Sequence, residues 1–331
     1  MSSPQLHRSE YARRMNRVLD YIDRHLDAPL ELATLADVAN FSRFHFHRMF
    51  AGWIGETLGD YIRRRRLEVG AMQLATRPNL TVLEVAIYTG FGSGEAFGRA
   101  FKTQFGCTPA AWRKDTERRS AAELAAMRLK QFEQKTGGMG SDHSNPDQSL
   151  SNPDQISAAD FAHHEAFNQL HKGTDMKVEI IALPVVKIAY IRKIGSYGAE
   201  IGAFWRTTFN PWLDVSGLSH QACYGISHDD PSVTPAEKCR YDACAEVPNG
   251  FHPTGQANLA ELPGGRYAVT KFVGTSREIT GTWMEFFREW LPSSGLQCDA
   301  RPCFEYYPPD VRMDPKTGIF ECDLCIPVCS L

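Results

Sequence analysis

Nowhere in these 331 residues does an uninterrupted apolar run approach the roughly 18 residues that a membrane-spanning helix requires. Residues Met1 to Arg14 are polar and charged, without the apolar core of a secretion signal. Both absences point to a cytoplasmic protein without a membrane partner. The cysteines, at 107, 223, 239, 244, 298, 303, 322, 325 and 329, are odd in number and follow no secretion signal, which argues against a disulfide framework. Cys322, Cys325 and Cys329 suggest a metal site by spacing alone. They fall in FECDLCIPVC, which reads as a strand, and there Cys322 and Cys325 point to opposite faces, so no metal is expected. The sequence also lacks a Ser/His/Asp or Cys/His constellation, so no catalytic residue and no cofactor are assigned.

Net charge is small overall, at −3, but charge is unevenly distributed. Residues 1–118 carry 17 Lys and Arg against 13 Asp and Glu, net +4, and the remainder carries 19 against 26, net −7. A basic half and an acidic half imply different partners. The chain is long enough for two domains. Its first part is helical, with Tyr11, Met15, Val18, Leu19, Ile22 and Leu26 on one stripe. Residues 119–175 read as a helical extension and a flexible linker in which Ser-Asn-Pro-Asp-Gln occurs twice, at 144–148 and 151–155. From 176 to 331 strand-like segments alternate with two aromatic-rich helical stretches, near 198–212 and 277–291.

Each half repeats itself. In the first, Ala36 and Phe41 match Ala86 and Phe91 at an offset of 50. Phe46, Arg48, Phe50, Gly55 and Thr57 match Phe97, Arg99, Phe101, Gly106 and Thr108 at 51, the slip falling in a tight turn. Each copy reads as a helix with a small buried alanine, a turn closed by phenylalanine, and a second helix whose phenylalanines face inward and whose arginine faces out. That is a helix-turn-helix, its second helix sized for a major groove. Between the copies, Ile62, Leu67, Val69, Ala71 and Leu74 mark the apolar face of a connecting helix, and Arg63 to Arg66 read as its solvated face, with direct phosphate contact the alternative.

The stretches LATLADVANFSRFHFHRMF, YIRRRRLEVGAMQLA and VAIYTGFGSGEAFGRAFKTQFGCTPAAWRK, within residues 9–115, resemble the AraC/XylS family of regulators. The resemblance implies two recognition helices, Ser42 to Phe50 and Gly94 to Phe105, entering successive major grooves of double-stranded DNA. Ser42, Arg43, Phe44, His47 and Arg48 are the candidate DNA-binding residues of the first, and Glu95 and Arg99 those of the second. Arginine bidentate to guanine suits Arg48 and Arg99. Gly94, Glu95 and Gly98 make the second helix a poorer reader, so specificity is expected mainly from the first.

In the second half, Leu183-Pro184, Ala189, Gly195 and Gly202 recur as Leu262-Pro263, Ala268, Gly274 and Gly281 at a gapless offset of 79, and Val247-Pro248 recurs as Ile326-Pro327. Each copy reads strand, strand, helix, strand, strand. The expected architecture is therefore multidomain: an all-α N-terminal domain with two helix-turn-helix motifs (1–118) and an α+β C-terminal domain of two pseudo-symmetric βαββ units (176–331) with a cleft along their axis. The LPxxxxA openings and Phe304-Glu305-Tyr306-Tyr307 resemble the GyrI-like effector-binding domain over about 176–328. At an offset of 79, Glu305 aligns with Ile226, so an acid breaks the symmetry. Glu305 shares a strand face with Cys303 and Tyr307, and Ile226 shares one with Tyr224. The resemblance assigns Glu305 to face a ligand. Tyr307, Tyr224, Ile226, Trp205 and Trp283 complete the candidate pocket, for a small apolar or cationic effector of the multidrug-sensing kind. RNA polymerase is the further partner expected of such a regulator. Two alternatives stand beside it: a hydrolase of electrophilic small molecules using Glu305, and a protein-interaction module.

Overall fold

The stripe at Met15, Val18, Leu19 and Ile22 becomes the spine of the first core. The computed structural model describes residues 3–116, 176–231, 233–276, 278–299, 301–309, 314 and 317–330. The extension and linker expected at 119–175 lie outside the described residues. Helix α1 (Ser3–Arg24) packs on Leu35 and Ala36 of α2 (Leu32–Val38) and on Phe46 and Phe50 of α3 (Arg43–Ile54). Helix α4 (Leu58–Thr76) gives Leu58 and Tyr61 to that core, then Leu67, Ala71 and Leu74 to a second one. The second core also takes Val85 and Ala86 from α5 (Val82–Tyr88) and Phe97 and Phe101 from α6 (Gly94–Phe105). A single helix therefore belongs to both cores and fixes their spacing.

Nearly every repeated residue has a local reason. Phe41 and Phe91 each donate their amide to the carbonyl of Ala36 or Ala86, at 2.9 Å in both turns. The preceding residue takes a left-handed conformation, Asn40 at φ 52° and Gly90 at φ 79°. Gly55 and Gly106 terminate α3 and α6 at φ 80° and 74°. Thr57 and Thr108 are N-caps, their hydroxyls accepting from the amides of Asp60 and Ala111.

The C-terminal half is an antiparallel sheet in the order β1-β6-β9-β8-β3-β4-β2-β5. The strands are β1 (Val178–Leu183), β2 (Val186–Ile194), β3 (Cys223–Ser227), β4 (Arg240–Glu246), β5 (Asn258–Leu262), β6 (Gly265–Gly274), β8 (Phe304–Tyr307) and β9 (Phe320–Ser330), with β7 (Leu296–Cys298) beside β9. The two units join where β3 pairs with β8. One face packs under α7 (Ala199–Phe204, then a π turn Trp205–Phe209, then Asn210–Val215) and α8 (Ile279–Glu285, π turn Phe286–Trp290, Leu291–Ser293). Each π turn has the same cause. Pro211 and Pro292 lack an N–H and crowd the carbonyl four residues back, so the chain widens and Asn210 and Leu291 bond five residues back, to Trp205 and Phe286. The other face carries Tyr190, Tyr224, Ile226, Cys244, Tyr267 and Phe304, and α1 and α4 meet this side of the sheet at β2 and β4. Cys322 lies under the helices and Cys325 on the opposite face, as strand alternation requires.

The repeat is not gapless. Ala189 and Ala268 keep the offset of 79 beneath their helices, but the π-turn prolines, 211 and 292, are 81 apart, and Gly225 stands directly opposite Glu305, 80 along the chain. The second unit gains residues through its helix and gives them back before β9. In a strand one residue of slip reverses the face.

Candidate DNA-reading helices and effector cleft

Helix α3 begins after Ser42, and Arg43, His47 and Arg48 lie on its exposed side while Phe46 and Phe50 are buried. Phe44 sits in the first turn, its side chain outside the described residues. On α6, Glu95 and Arg99 are 88% and 75% exposed and form an i,i+4 ion pair at 3.6 Å. Lys102, one turn further on, is exposed as well and was not singled out from the sequence. Were Arg99 to meet a DNA phosphate, Glu95 would compete for it. Glu95→Gln is therefore expected to tighten binding to any duplex by up to about fivefold at low salt, with a steeper salt dependence. Titration of one labelled duplex at several ionic strengths checks it; equal affinities at all salts would show that the pair does not compete.

The arginine run is corrected by the structure. Only Arg63 extends into solvent, beside Asp60. Arg64 is held between Glu56 (2.6 Å) and Glu68 (2.9 Å), and Arg65 between Asp23, Glu68 and Asp229. Arg66 donates to the carbonyl of Ala28 at 2.9 Å. The run faces protein because α4 is covered by α1 on one side and by the β3–β4 loop on another.

In the C-terminal half, the Glu305 carboxylate lies on the helix face of β8, between α7 and α8. The hydroxyls of Tyr307 (2.9 Å) and Tyr241 (3.2 Å) donate to Oε2, and the indole of Trp283 donates to Oε1 at 3.5 Å. The indole of Trp205 donates to Tyr241 at 3.1 Å, and its ring lies 5.2 Å from that of Tyr307. Trp205, Trp283, Tyr307 and Glu305 are all half-buried. Burial raises the Glu305 pKa above the usual carboxylate range, against the pull of its hydrogen bonds from Tyr307, Trp283 and Tyr241. Burial likewise pushes Tyr241 and Tyr307 well above the usual phenol value, so both stay protonated donors.

Four of the expected pocket residues thus converge: Glu305, Tyr307, Trp205 and Trp283. Tyr224 and Ile226 do not. They point to the opposite face, packed in one cluster with Phe304, because Gly225 and not Ile226 is the residue opposite Glu305. Gly225 was missed, and it matters. A Cβ there would lie 2.2 Å from the Tyr241 hydroxyl and 2.5 Å from Glu305 Oε2, so the space both groups occupy exists only because the residue is glycine. Tyr241 was missed too. The signal was available at the offset of 79, where its counterpart is Phe320: one hydroxyl present in one unit and absent from the other.

Comparison with known proteins agrees with this division. Residues 35–115 match a helix-turn-helix domain, and residues 176–328 match a GyrI-like small molecule binding domain. The chain is 35% identical over 133 residues to the SPbeta prophage-derived putative transcriptional regulator YosT of Bacillus subtilis, covering 40% of this chain and 89% of that protein. It is 38% identical over 98 residues to the regulatory protein SoxS of Escherichia coli, covering 29% of this chain and 89% of that one. Against the right origin-binding protein of Escherichia coli it is 38% identical over 117 residues, 35% of this chain but only 39% of that protein.

Proposed function

Because this chain belongs to the AraC family of transcription regulators, with a GyrI-like small-molecule-binding domain at its C-terminus, we propose that its effector is an aromatic or lipophilic cation seated between α7 and α8 against Glu305. The observation that carries this reading is a carboxylate set among aromatic side chains whose hydrogen-bond partners are three neutral donors, Tyr307, Tyr241 and Trp283. Among the described residues no Lys, Arg or His is ion-paired to Glu305. A buried anion without a counter-cation is costly, and a cationic ligand removes that cost while the Trp205 and Trp283 rings attract it through their faces. The DNA-binding half reads sequence chiefly through Arg43, His47 and Arg48 of α3 and anchors through α6. As a transcription regulator the chain exerts its effect on RNA polymerase.

The test is a binding titration with tetraphenylphosphonium, read by quenching of tryptophan fluorescence. Glu305→Gln is expected to weaken binding on the order of 10- to 100-fold, the size of a charge-assisted contact, while a neutral analogue of similar shape loses little. Affinity for the cation should also fall as pH drops through the raised Glu305 pKa, starting above the pH at which an ordinary exposed carboxylate protonates. Equal affinity of wild type and variant for the cation removes the assignment. The raised pKa also favours a second reading, in which the protonated Glu305 acts as a general acid on an electrophilic ligand. Turnover of an epoxide that vanishes in Glu305→Gln would select it.

A further inference from the structure

Tyr241, which donates to Glu305, is flanked on β4 by Arg240 and Asp242, whose side chains leave through the opposite face of the sheet. There they meet the DNA-binding half. Arg240, 2% exposed, donates to Asp23 of α1 at 2.5 Å, to the Tyr61 hydroxyl of α4 at 3.2 Å, and to Asp229 at 2.8 and 2.9 Å. Asp242 grips Arg192 through two bonds of 2.6 and 2.7 Å, and Arg192 reaches on to Asp20 of α1 at 2.8 Å. Tyr190 donates to the same Asp20. Arg65 of α4 closes the circuit on Asp23 at 3.2 Å and Asp229 at 2.5 Å. At the margin, Lys238 pairs with Glu56 and Arg77 donates to the carbonyl of Cys298.

We infer that this ionic seam is the intramolecular docking surface through which effector occupancy reaches the recognition helices, with β4 as the shared element. The inference rests on the assignment of the effector to the Glu305 cleft. Its physical basis is threefold. First, Tyr241 belongs to the cleft while the residues on either side of it belong to the seam, so a backbone shift that accommodates ligand at one necessarily displaces the others. Second, buried ion pairs compensate their desolvation only in good geometry, so the seam holds one register and not a continuum of positions. Third, the partners across it are α1, which packs against α3, and α4, which belongs to both helix-turn-helix cores. The ligand must favour one arrangement of this interface over another, and each side then feels the other by the same factor.

The experiment uses the full chain, tetraphenylphosphonium as probe, and a duplex selected by the wild-type chain from a random pool. Asp20→Asn with Asp23→Asn removes the charges that α1 brings to the seam but leaves the Arg240–Asp229 and Arg192–Asp242 pairs in place. The variant should bind the probe as wild type does. In wild type the bound probe should change DNA affinity by about 5- to 150-fold, and in the variant by less than about twofold. No probe effect on DNA binding in wild type, or an equal effect in both proteins, overturns the inference. Equal probe binding by wild type and Glu305→Gln is read before DNA is added and identifies failure of the cleft assignment instead. A measurement on wild type alone guards against misfolding of the variant: amide exchange over 15–24 of α1 should change when probe is bound, and unchanged exchange sinks the inference.

Discussion

Arg240→Met is expected to lower the unfolding free energy by about 3–5 kcal/mol at neutral pH, the usual cost of removing one member of a buried ion pair. The loss does not come from hydrophobic burial, since methionine fills much of the same volume. It comes from Asp229, whose side chain has no exposed surface, and Asp23, which lose one of the two guanidinium groups they share and keep only Arg65 between them. Urea unfolding followed by tryptophan fluorescence measures it; a loss below about 1 kcal/mol would mean that solvent enters and rehydrates the seam. The pH dependence has a definite sign. Burial alone would raise both carboxyls, but Arg240 and Arg65 outweigh it, holding Asp23 at about 2 and Asp229 far below the usual range. Asp242 is depressed in the same way, burial being overcome by Arg192 and then His228. Folded values below the ordinary Asp value of about 3.9 mean stabilisation that is complete above that range and is lost as pH falls through the folded values. Wild type should therefore lose stability below about pH 4. Arg240→Met, with its carboxyls no longer depressed to the same degree, should lose less over that interval.

Gly225→Ala should reduce affinity for the aromatic cation about as much as loss of the carboxylate itself, on the order of 10- to 100-fold. The added methyl overlaps the Tyr241 hydroxyl and Glu305 Oε2 together. The carboxylate can swing aside, but the Tyr241 hydroxyl is the end of a rigid, buried ring, with its Cζ only 3.0 Å from the new atom. The ring must move, and with it the bonds to Glu305 and Trp205. A stability cost of about 1–3 kcal/mol accompanies this overpacking. Tyr241→Phe with Gly225→Ala tests the mechanism, because removing the hydroxyl relieves the worst overlap and should restore part of the stability. Calorimetric titration of the single variant at unchanged affinity would show that the cleft does not depend on this glycine.

What the sequence displays about this protein follows from the range over which each signal acts. The two helix-turn-helix units were legible to the residue because their determinants are local: a carbonyl five residues back, a glycine at a helix end, a threonine cap. Glu305 was legible because it breaks a repeat. Its partner was misidentified because the second unit lengthens between helix and strand, and an offset correct in β2 and β6 exposes the wrong face in β3, which is how Ile226 and Tyr224 entered the candidate pocket in place of Gly225 and Tyr241, the residues that stand beside Glu305. The arginine run misled for a different reason. A charge on a helix reads as solvated until another part of the chain covers it, and the covering groups, Asp23 and Asp229, lie 42 and 164 residues from Arg65. No local periodicity announces such a pairing. The seam between the two halves was invisible on the same grounds.

Helix α4 has one further consequence. Its 19 residues span roughly 28 Å at 1.5 Å per residue, and it is anchored in a core at each end, so it serves as a ruler of fixed length. If α3 and α6 both enter grooves of one duplex, those grooves would have to lie at the separation and phase that ruler sets. An inserted base pair turns the far groove by about a tenth of a helical turn, and α4 has no slack with which to follow it. On that reading, spacing would be a part of the recognised message that no side chain touches.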